Sequence, residues 1–317
     1  MRSAERTPVD LDLIEKVADQ FIKRHIQHLA PSTQREVTRY VNEEIVKAWR
    51  GRKLSSITKA EIHILLDKIA DRGAPVAANR TLAWLRVLCN WAIGRGLIEN
   101  NPCTGISRPG PETPRERFLS DDELVMLWDA ADALTRPFDS FIRMLILTGQ
   151  RSHEVSDAEW AEIDLVNRVW TLPARRAKNG REHTIPLSDP ACAILESIPH
   201  FYGSPFVFTL RGTNPIRGHH LVKRRLDELL PSEMPPWTLH DIRRSVASGM
   251  AKLGINLPTV ERLLNHVSGS FRGIVSVYQK HDFAREKTTA VELWARHIEA
   301  ITSGEADINV VPLRRGR

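Results

Sequence analysis

Along most of the chain the hydrophobic positions fall into stripes of helical period. Leu13, Val17 and Phe21, interleaved with Ile14, Ala18, Ile22 and Ile26, predict a helix between Val9 and Leu29 that Pro31 ends. Ser32 stands where a cap is expected for a second helix, which carries Val37, Tyr40, Val41, Ile45 and Trp49 and stops near Gly51. Thr58 and Glu61 have the spacing of a capping box ahead of Ile62, Leu65, Leu66 and Ile69, and Gly73 closes that helix. A fourth stripe, Leu82, Leu85, Leu88 and Trp91, runs out near Gly94. These positions read as core.

Periodicity lapses between Asn100 and Arg117, where Pro102, Pro109, Pro111 and Pro114 alternate with Gly105 and Gly110. Ser120 and Glu123 then repeat the capping-box spacing and open a second region. Helices are predicted there from Asp121 to Leu134, Phe138 to Thr148, His219 to Leu229, His240 to Leu253, Pro258 to Asn265 and Arg285 to Ile301. The stretch VWTLPARRAKNGREHTIPL departs from this period. Two β-prone runs flank Asn179-Gly180, a strong hairpin signal. The expected fold is mainly α: a small helical domain over residues 1–108, a linker at 109–117, a mostly helical domain with a small β-sheet or hairpin over 118–302, and a disordered tail at 303–317.

Composition narrows the class. The 317 residues are 42% hydrophobic and 26% charged, as in ordinary globular chains. No apolar run approaches the ~20 residues of a membrane-spanning helix, and the start lacks the apolar stretch of a signal peptide. Cys89, Cys103 and Cys192 are too few and too scattered for a disulfide framework or a zinc site, so reduced thiols in a cytoplasmic protein are expected. The net charge of +6 is unevenly placed: up to Gly110 there are 18 basic and 12 acidic residues, which leaves 27 of each in the remainder. A basic, compact region points to a polyanion partner, because Lys and Arg displace counterions from phosphates.

Several polar residues stand in apolar surroundings. Arg151 follows MLILTGQ and precedes Glu154; Lys178 sits at the hairpin tip; His240 and Arg243 lie three apart and share one helix face; His266 follows Leu263-Leu264; Tyr278 ends GIVSVY. Taken singly each has a structural explanation, such as an ion pair, a solvated turn or a packed ring. Together they suit attack on a phosphodiester. Two guanidiniums are always charged and can hold the non-bridging oxygens. A tyrosine hydroxyl, with a pKa near ~10, needs a cationic pocket or a base such as His240 to act as a nucleophile. No cofactor is expected. His153-Glu154 begins like a zinc-binding HExxH but has Asp157 where the second His belongs, and no Gly-rich phosphate loop is present.

The order Arg, Lys, His-x-x-Arg, His, Tyr, carried by TGQRSHEV, AKNGREHTIPL, LHDIRRSVASGM, LLNHVSGS and VYQKHD, resembles the active site of tyrosine recombinases, the phage integrase family. The resemblance covers Arg117 to Ile298, more weakly the first helical segment, and is nearest to integrases of satellite phages and genomic islands. It implies Arg151, Lys178, His240, Arg243, His266 and Tyr278 as the catalytic set, with Lys178 donating a proton to the departing 5′ oxygen and His266 hydrogen-bonding the phosphate. It also implies a 3′-phosphotyrosine intermediate, double-stranded DNA with specific core sites as partner, a tetramer on paired sites and an accessory DNA-bending protein. Such integrases usually carry a further N-terminal domain for arm-type sites, whereas this sequence opens almost directly on the helical segment, so a shorter or truncated variant is expected. Ser152 stands where the family often has a second basic residue, at a position that is not catalytic. The apolar side of the last helix, with Val291, Leu293, Trp294, His297, Ile298 and Ile301, is a candidate for docking on a neighbouring protomer or on its own domain. Two other readings stay open: a type IB topoisomerase, against which the small first domain speaks, and a non-cutting DNA-binding relic, against which the intact six side chains speak.

Overall fold

The computed structural model describes residues 12–112, 116–266 and 283–304, and the chain divides between Arg115 and Glu116 into two units. The predicted tail lies almost wholly outside the described residues.

The first unit is helical. Helix α1 (Ile14–Arg24) buries Ile14, Val17, Ala18 and Phe21, the predicted stripe, and a 3₁₀ turn at Ile26–His28 follows it. Pro31 begins the next helix, α2 (Pro31–Tyr40), rather than merely ending the first. Proline tolerates the first helical position because its missing N–H would have had no partner there. The cap position therefore falls on Ala30, and Ser32 lies inside the helix. A π-helical turn, Val41–Val46, joins α2 to α3 (Lys47–Trp49). In a straight α-helix Val46 would lie half a turn away from Val37; the wider turn keeps both buried, together with Ile45. Helix α4 (Lys59–Asp71) carries the expected Thr58/Glu61 capping box, and α5 (Pro75–Ile93) buries Leu82, Leu85 and Leu88 in the same core.

The second unit packs helices around a small sheet. Helices α6 (Asp121–Ala130), α7 (Phe138–Thr148) and the short α8 (Ser152–Ser156) come first, with α6 capped by Ser120 and Glu123. Strands β1 (Ile163–Asp164), β2 (Val169–Leu172) and β3 (His183–Pro186) form an antiparallel sheet in that order, with Trp170 opposite Ile185 and Leu172 opposite His183. The β2–β3 pair is the expected hairpin, but its connection is the ten-residue loop 173–182 instead of a tight Asn-Gly turn. Only Gly180 has a positive φ, +69°, whereas the tight turn requires Asn179 to have one as well. Pro173, which has no N–H for the ladder, ends β2, and its carbonyl accepts the N–H groups of Arg176 and Ala177. Helix α9 (Asp189–Ser197) has no counterpart among the predicted elements. Among the described residues four helices follow: α10 (His219–Leu229), α11 (Leu239–Lys252), α12 (Leu257–Leu263) and α13 (Ala284–Thr302).

Helix α13 packs on its own unit. Val291, Trp294 and Ile298 are buried, and the Trp294 indole donates to the carbonyl of Ile146 at 2.8 Å. The ring fills a notch over Gly249 of α11, where a Cβ would stand 2.3 Å from it. Truncating a buried Trp typically costs about 3–5 kcal/mol. Of the two possibilities posed by the sequence, this chain shows the packing on its own domain: the apolar side of the last helix is occupied by its own unit. His297 joins Asp121 of α6 at 3.3 Å. Among the described residues no helix is long and apolar enough to cross a membrane, and the three cysteines are free and buried.

Candidate active site

The site is organised by the C-terminal end of α12. The last carbonyls of a helix have no intrahelical N–H partner and form the negative end of its dipole, so they attract cationic donors. Three consecutive carbonyls here are used in this way. Leu263 O accepts from Gln150 Nε2 at 3.0 Å and from His183 Nε2 at 2.9 Å. Leu264 O accepts from Nη2 of Arg243, and Asn265 O accepts from Nη2 of Arg151 at 3.3 Å. Arginines far apart in sequence are thereby brought to one helix end.

Each arginine has a second anchor. Arg243, buried on α11, also donates from Nη1 to Gly149 O at 2.8 Å. Gly149 ends α7 in the left-handed conformation, φ +62°, where side chains are disfavoured, and an added Cβ would come within 2.9 Å of both Leu264 and Val246. The TGQR segment thus needs its glycine both for the turn and for close approach to α11 and α12. Arg151, immediately before α8, is only partly buried and pairs through Nη1 with Glu154 Oε1 at 2.9 Å. Glu154, almost fully buried, also accepts the Arg151 backbone N–H at 3.2 Å. The structural explanation entertained for Arg151 therefore holds, and its side chain still stays partly exposed.

His240 and His266 share this electrostatic neighbourhood, and both residues are exposed. Desolvation by the protein, then the charges of Arg243 and Arg151 and the neighbouring His240, push His266 down to about 4. Desolvation, then Arg243 and Arg244, lowers His240 as well. Both imidazoles are neutral at pH 7, each with one N–H and one lone pair. Burial and the charge of Arg151 push Arg243 down to about 9, which still leaves it cationic at neutral pH. Four of the six predicted side chains, Arg151, His240, Arg243 and His266, are therefore together. Lys178 is exposed on the loop 173–182, and its neighbour Asn179 reaches Asn265, next to His266, at 2.5 Å. Tyr278 lies outside the described residues.

Three residues of this site were not anticipated from sequence. Gln150 is buried and links the α7–α8 corner to α12. His183, facing inward from β3, is pushed down to about 4 mainly by burial; its Nε2 must carry the hydrogen, because the carbonyl of Leu263 can only accept. Asn265 has φ +51°, and its position just past a helix made it legible in principle, since Asn is among the few residues that tolerate the left-handed conformation there. Among the described residues no cluster of His, Cys, Asp and Glu is arranged to hold a metal ion.

Comparison with known proteins places the chain. Residues 117–285 match the phage integrase family, and residues 14–108 match the phage integrase central domain. The chain belongs to the phage integrase family. It is 27% identical to prophage integrase IntA of Escherichia coli K12 over 78% of its own length, spanning 62% of that relative. It is 24% identical to prophage integrase IntZ of the same strain over 92% of its length and 73% of the relative's. Among solved structures it is similar in fold to a lambda integrase dimer bound to a COC′ core site, with TM-score 0.68, 20% identity and coverage of 82% of this chain and 97% of that one. A lambda integrase tetramer bound to a Holliday junction matches with TM-score 0.69 and 19% identity, over 87% of this chain and 86% of that one. The recombinase family expected from the motifs, and its mainly helical fold with one small sheet, are both borne out.

Proposed function

We propose that this protein is a site-specific DNA recombinase that cuts and rejoins strands through a covalent bond to Tyr278. The observation that carries this reading is the pair of guanidiniums fixed on successive carbonyls of one helix end, with two neutral imidazoles beside them. Phosphodiester attack builds negative charge on the non-bridging oxygens, and donors fixed in advance stabilise that charge without reorganising. Of the five N–H donors on Arg243, protein carbonyls take one each from Nη1 and Nη2, and its Nε is buried without a hydrogen-bond partner among the described residues. Burial, with the positive field of the arginines, keeps His240 and His266 neutral, and that field also attracts a phosphate.

In the forward step the Tyr278 oxygen bonds to phosphorus and the bond from phosphorus to the 5′ oxygen breaks. His240 takes the tyrosine proton, Lys178 gives one to the departing oxygen, and His266 hydrogen-bonds the phosphate. The product is a 3′-phosphotyrosine and a free 5′ hydroxyl. A 5′ hydroxyl from another strand reverses the step, so the linkage conserves the bond energy and no nucleotide is needed. The guanidiniums take the charge-neutralising role that a metal ion has in other phosphoryl-transfer sites.

The partner is double-stranded DNA carrying core sites. Exchange between two duplexes, each cut at two positions, requires four tyrosines and hence a tetramer on paired sites, with an accessory DNA-bending protein where the sites must be brought together. The lambda integrase structures, one on a core site and one as a tetramer on a Holliday junction, support this assembly. A cytoplasmic location follows from such a substrate. The decisive experiment is trapping on a nicked suicide substrate in EDTA without nucleotide. The wild-type chain is expected to form a phosphotyrosyl adduct. Tyr278→Phe is expected to bind DNA equally and form none; adduct at the wild-type level in that variant removes Tyr278 from the mechanism.

A further inference from the structure

Lys178 itself is exposed, but the residues on both sides of it are tied down. Two positions before it, Arg176 donates from Nη2 to Glu154 O at 2.8 Å, beside Arg151, and lies 2.9 Å from the Glu162 carboxylate. One position after it, Asn179 Nδ2 donates to Asn265 Oδ1 at 2.5 Å, and Asn265 Nδ2 reaches back to Asn179 Oδ1 at 3.5 Å. Ala177, between the two anchors, is buried. Asn265 in turn holds Arg151 with its carbonyl and precedes His266.

We propose that the Asn179–Asn265 amide pair is a latch that positions Lys178 on the phosphate-holding arginines, so that both asparagines are positioning residues for the leaving-group step. The inference rests on the reading of Lys178 as proton donor given above. A ten-residue loop free at its tip samples many conformations, and fixing each residue costs about 1–2 kcal/mol. Without a contact at its tip the lysine would occupy its productive position for only a fraction of the time. An Asn in the left-handed conformation commonly bonds its own local backbone. This one is instead paired across 86 residues with the neighbour of the lysine. Its own backbone carbonyl holds one clamp arginine, and the chain continues directly into His266. A single residue thus refers the proton donor, the clamp and the imidazole to one another. Arg176 restrains the other end of the segment.

The test uses Asn179→Ala and Asn265→Gly in the full chain. Glycine keeps the left-handed backbone and the carbonyl that holds Arg151, and removes only the amide. In the DNA-free protein, amide hydrogen exchange of residues 176–181 is expected to accelerate about tenfold in both variants as the loop opens locally. In single-turnover cleavage, DNA with its natural 5′ oxygen is compared with DNA bearing a bridging 5′ sulfur, a leaving group that departs as thiolate and needs no proton. The loss of a positioned proton donor typically costs ~10²–10⁴ in rate. A misplaced donor is expected to cost about ten- to hundredfold on the oxygen substrate, with the sulfur substrate within about threefold of wild type. Combining either change with Lys178→Ala is expected to add nothing further. Three results overturn the latch: unchanged exchange of the loop, equal losses on both substrates, or losses additive with Lys178→Ala. A wild-type chain that forms no adduct on either substrate refutes the recombinase reading instead, and the exchange measurement alone then decides whether the amide pair holds the loop.

Discussion

The two units handle polar groups in opposite ways. Among the described residues the first unit buries three polar side chains, Glu44, Asn79 and Thr81, whereas the second buries fourteen, among them Gln150, Glu154, His183, Asp241, Arg243 and Lys287. Yet the positive excess lies in the first 110 residues, and the remainder is balanced at 27 basic and 27 acidic groups. In the proposed recombinase, the first unit offers exposed charge to DNA, whereas the second holds its guanidiniums on fixed protein partners. Exposed charges act additively and tolerate exchange. Buried ones are anchored by specific partners, so one wrong atom leaves others unsatisfied. Substitutions in the two units are therefore expected to differ in kind as well as in size.

The largest effects belong to the arginines at the end of α12. Arg243→Lys and Arg151→Lys keep the charge and lose the fork. One ammonium on a flexible stem does not span both Gly149 O and Leu264 O as the Arg243 guanidinium does. Each variant is expected to lose ~10²–10³ in single-turnover cleavage at saturating DNA. The two should diverge in thermal unfolding: Arg243→Lys lowers the melting temperature because buried carbonyls lose their donors, while the more exposed Arg151 is replaced with little change. Cleavage within a few-fold of wild type in either variant makes that arginine purely structural.

A middle-sized effect comes from the buried imidazole. His183 has its folded pKa depressed to about 4, below the ordinary histidine value of ~6.5. The unfolded chain therefore takes up a proton before the folded one does. The stability that this group contributes is full above pH ~6.5 and is lost as the pH falls towards 4, amounting to at most about 3 kcal/mol for a shift of this size. His219, pushed to about 4 by burial and by His153, adds a loss of the same sign. Urea unfolding between pH 7 and 4.5 is expected to show this decline. In His183→Gln, where an amide still donates to Leu263 O without titrating, the decline should be shallower. An identical decline in the variant assigns the acid sensitivity to other groups.

The same contrast explains what the sequence made legible. Both capping boxes, Thr58/Glu61 and Ser120/Glu123, and the stripes of α1, α5 and α13 depend on neighbours within a few residues, and local pattern reports them well. The family motifs pointed to Arg151, Arg243, His240 and His266, which the fold brings together, although nothing local showed that an α12 carbonyl end would gather them. Gln150, His183 and Asn265 escaped because their partners lie 80 to 113 residues away and their own surroundings look like ordinary corners and strands. Asn179-Gly180 misled for the converse reason. The dipeptide favours a tight turn, but the Asn179 Nδ2 is given to Asn265 while its Oδ1 accepts the Arg181 N–H, and Pro173 has already ended the strand. Helix α9 is short, and the π turn of Val41–Val46 is set by the need to keep Val46 inside, which appears only once the helix is packed.

The smallest effect is expected in the first unit. Gln34, Arg35, Thr38 and Arg39 of α2, with Asn42 and Glu43 of the π turn, line an open groove. Arg35 and Arg39 are exposed, and the Arg39 guanidinium stacks over the Tyr40 ring at 4.2 Å, which limits its freedom without neutralising it. Surface groups of this kind contribute little to folding, so Arg35→Gln and Arg39→Gln together should change stability by no more than ~0.5 kcal/mol each. If the excess charge of this unit serves to bind DNA, each lost phosphate contact lowers the slope of log affinity against log salt by about 0.9. The double variant is then expected to bind core and random DNA equally more weakly, with a slope reduced by roughly two, while the cleavage rate at saturating DNA stays at the wild-type value. Titrations at several salt concentrations, paired with single-turnover cleavage, check both halves. An unaltered slope assigns the charge of this face another role. A fall in cleavage at saturation breaks the comparison itself, because exposed charge in the first unit would then be acting on the chemistry placed in the second.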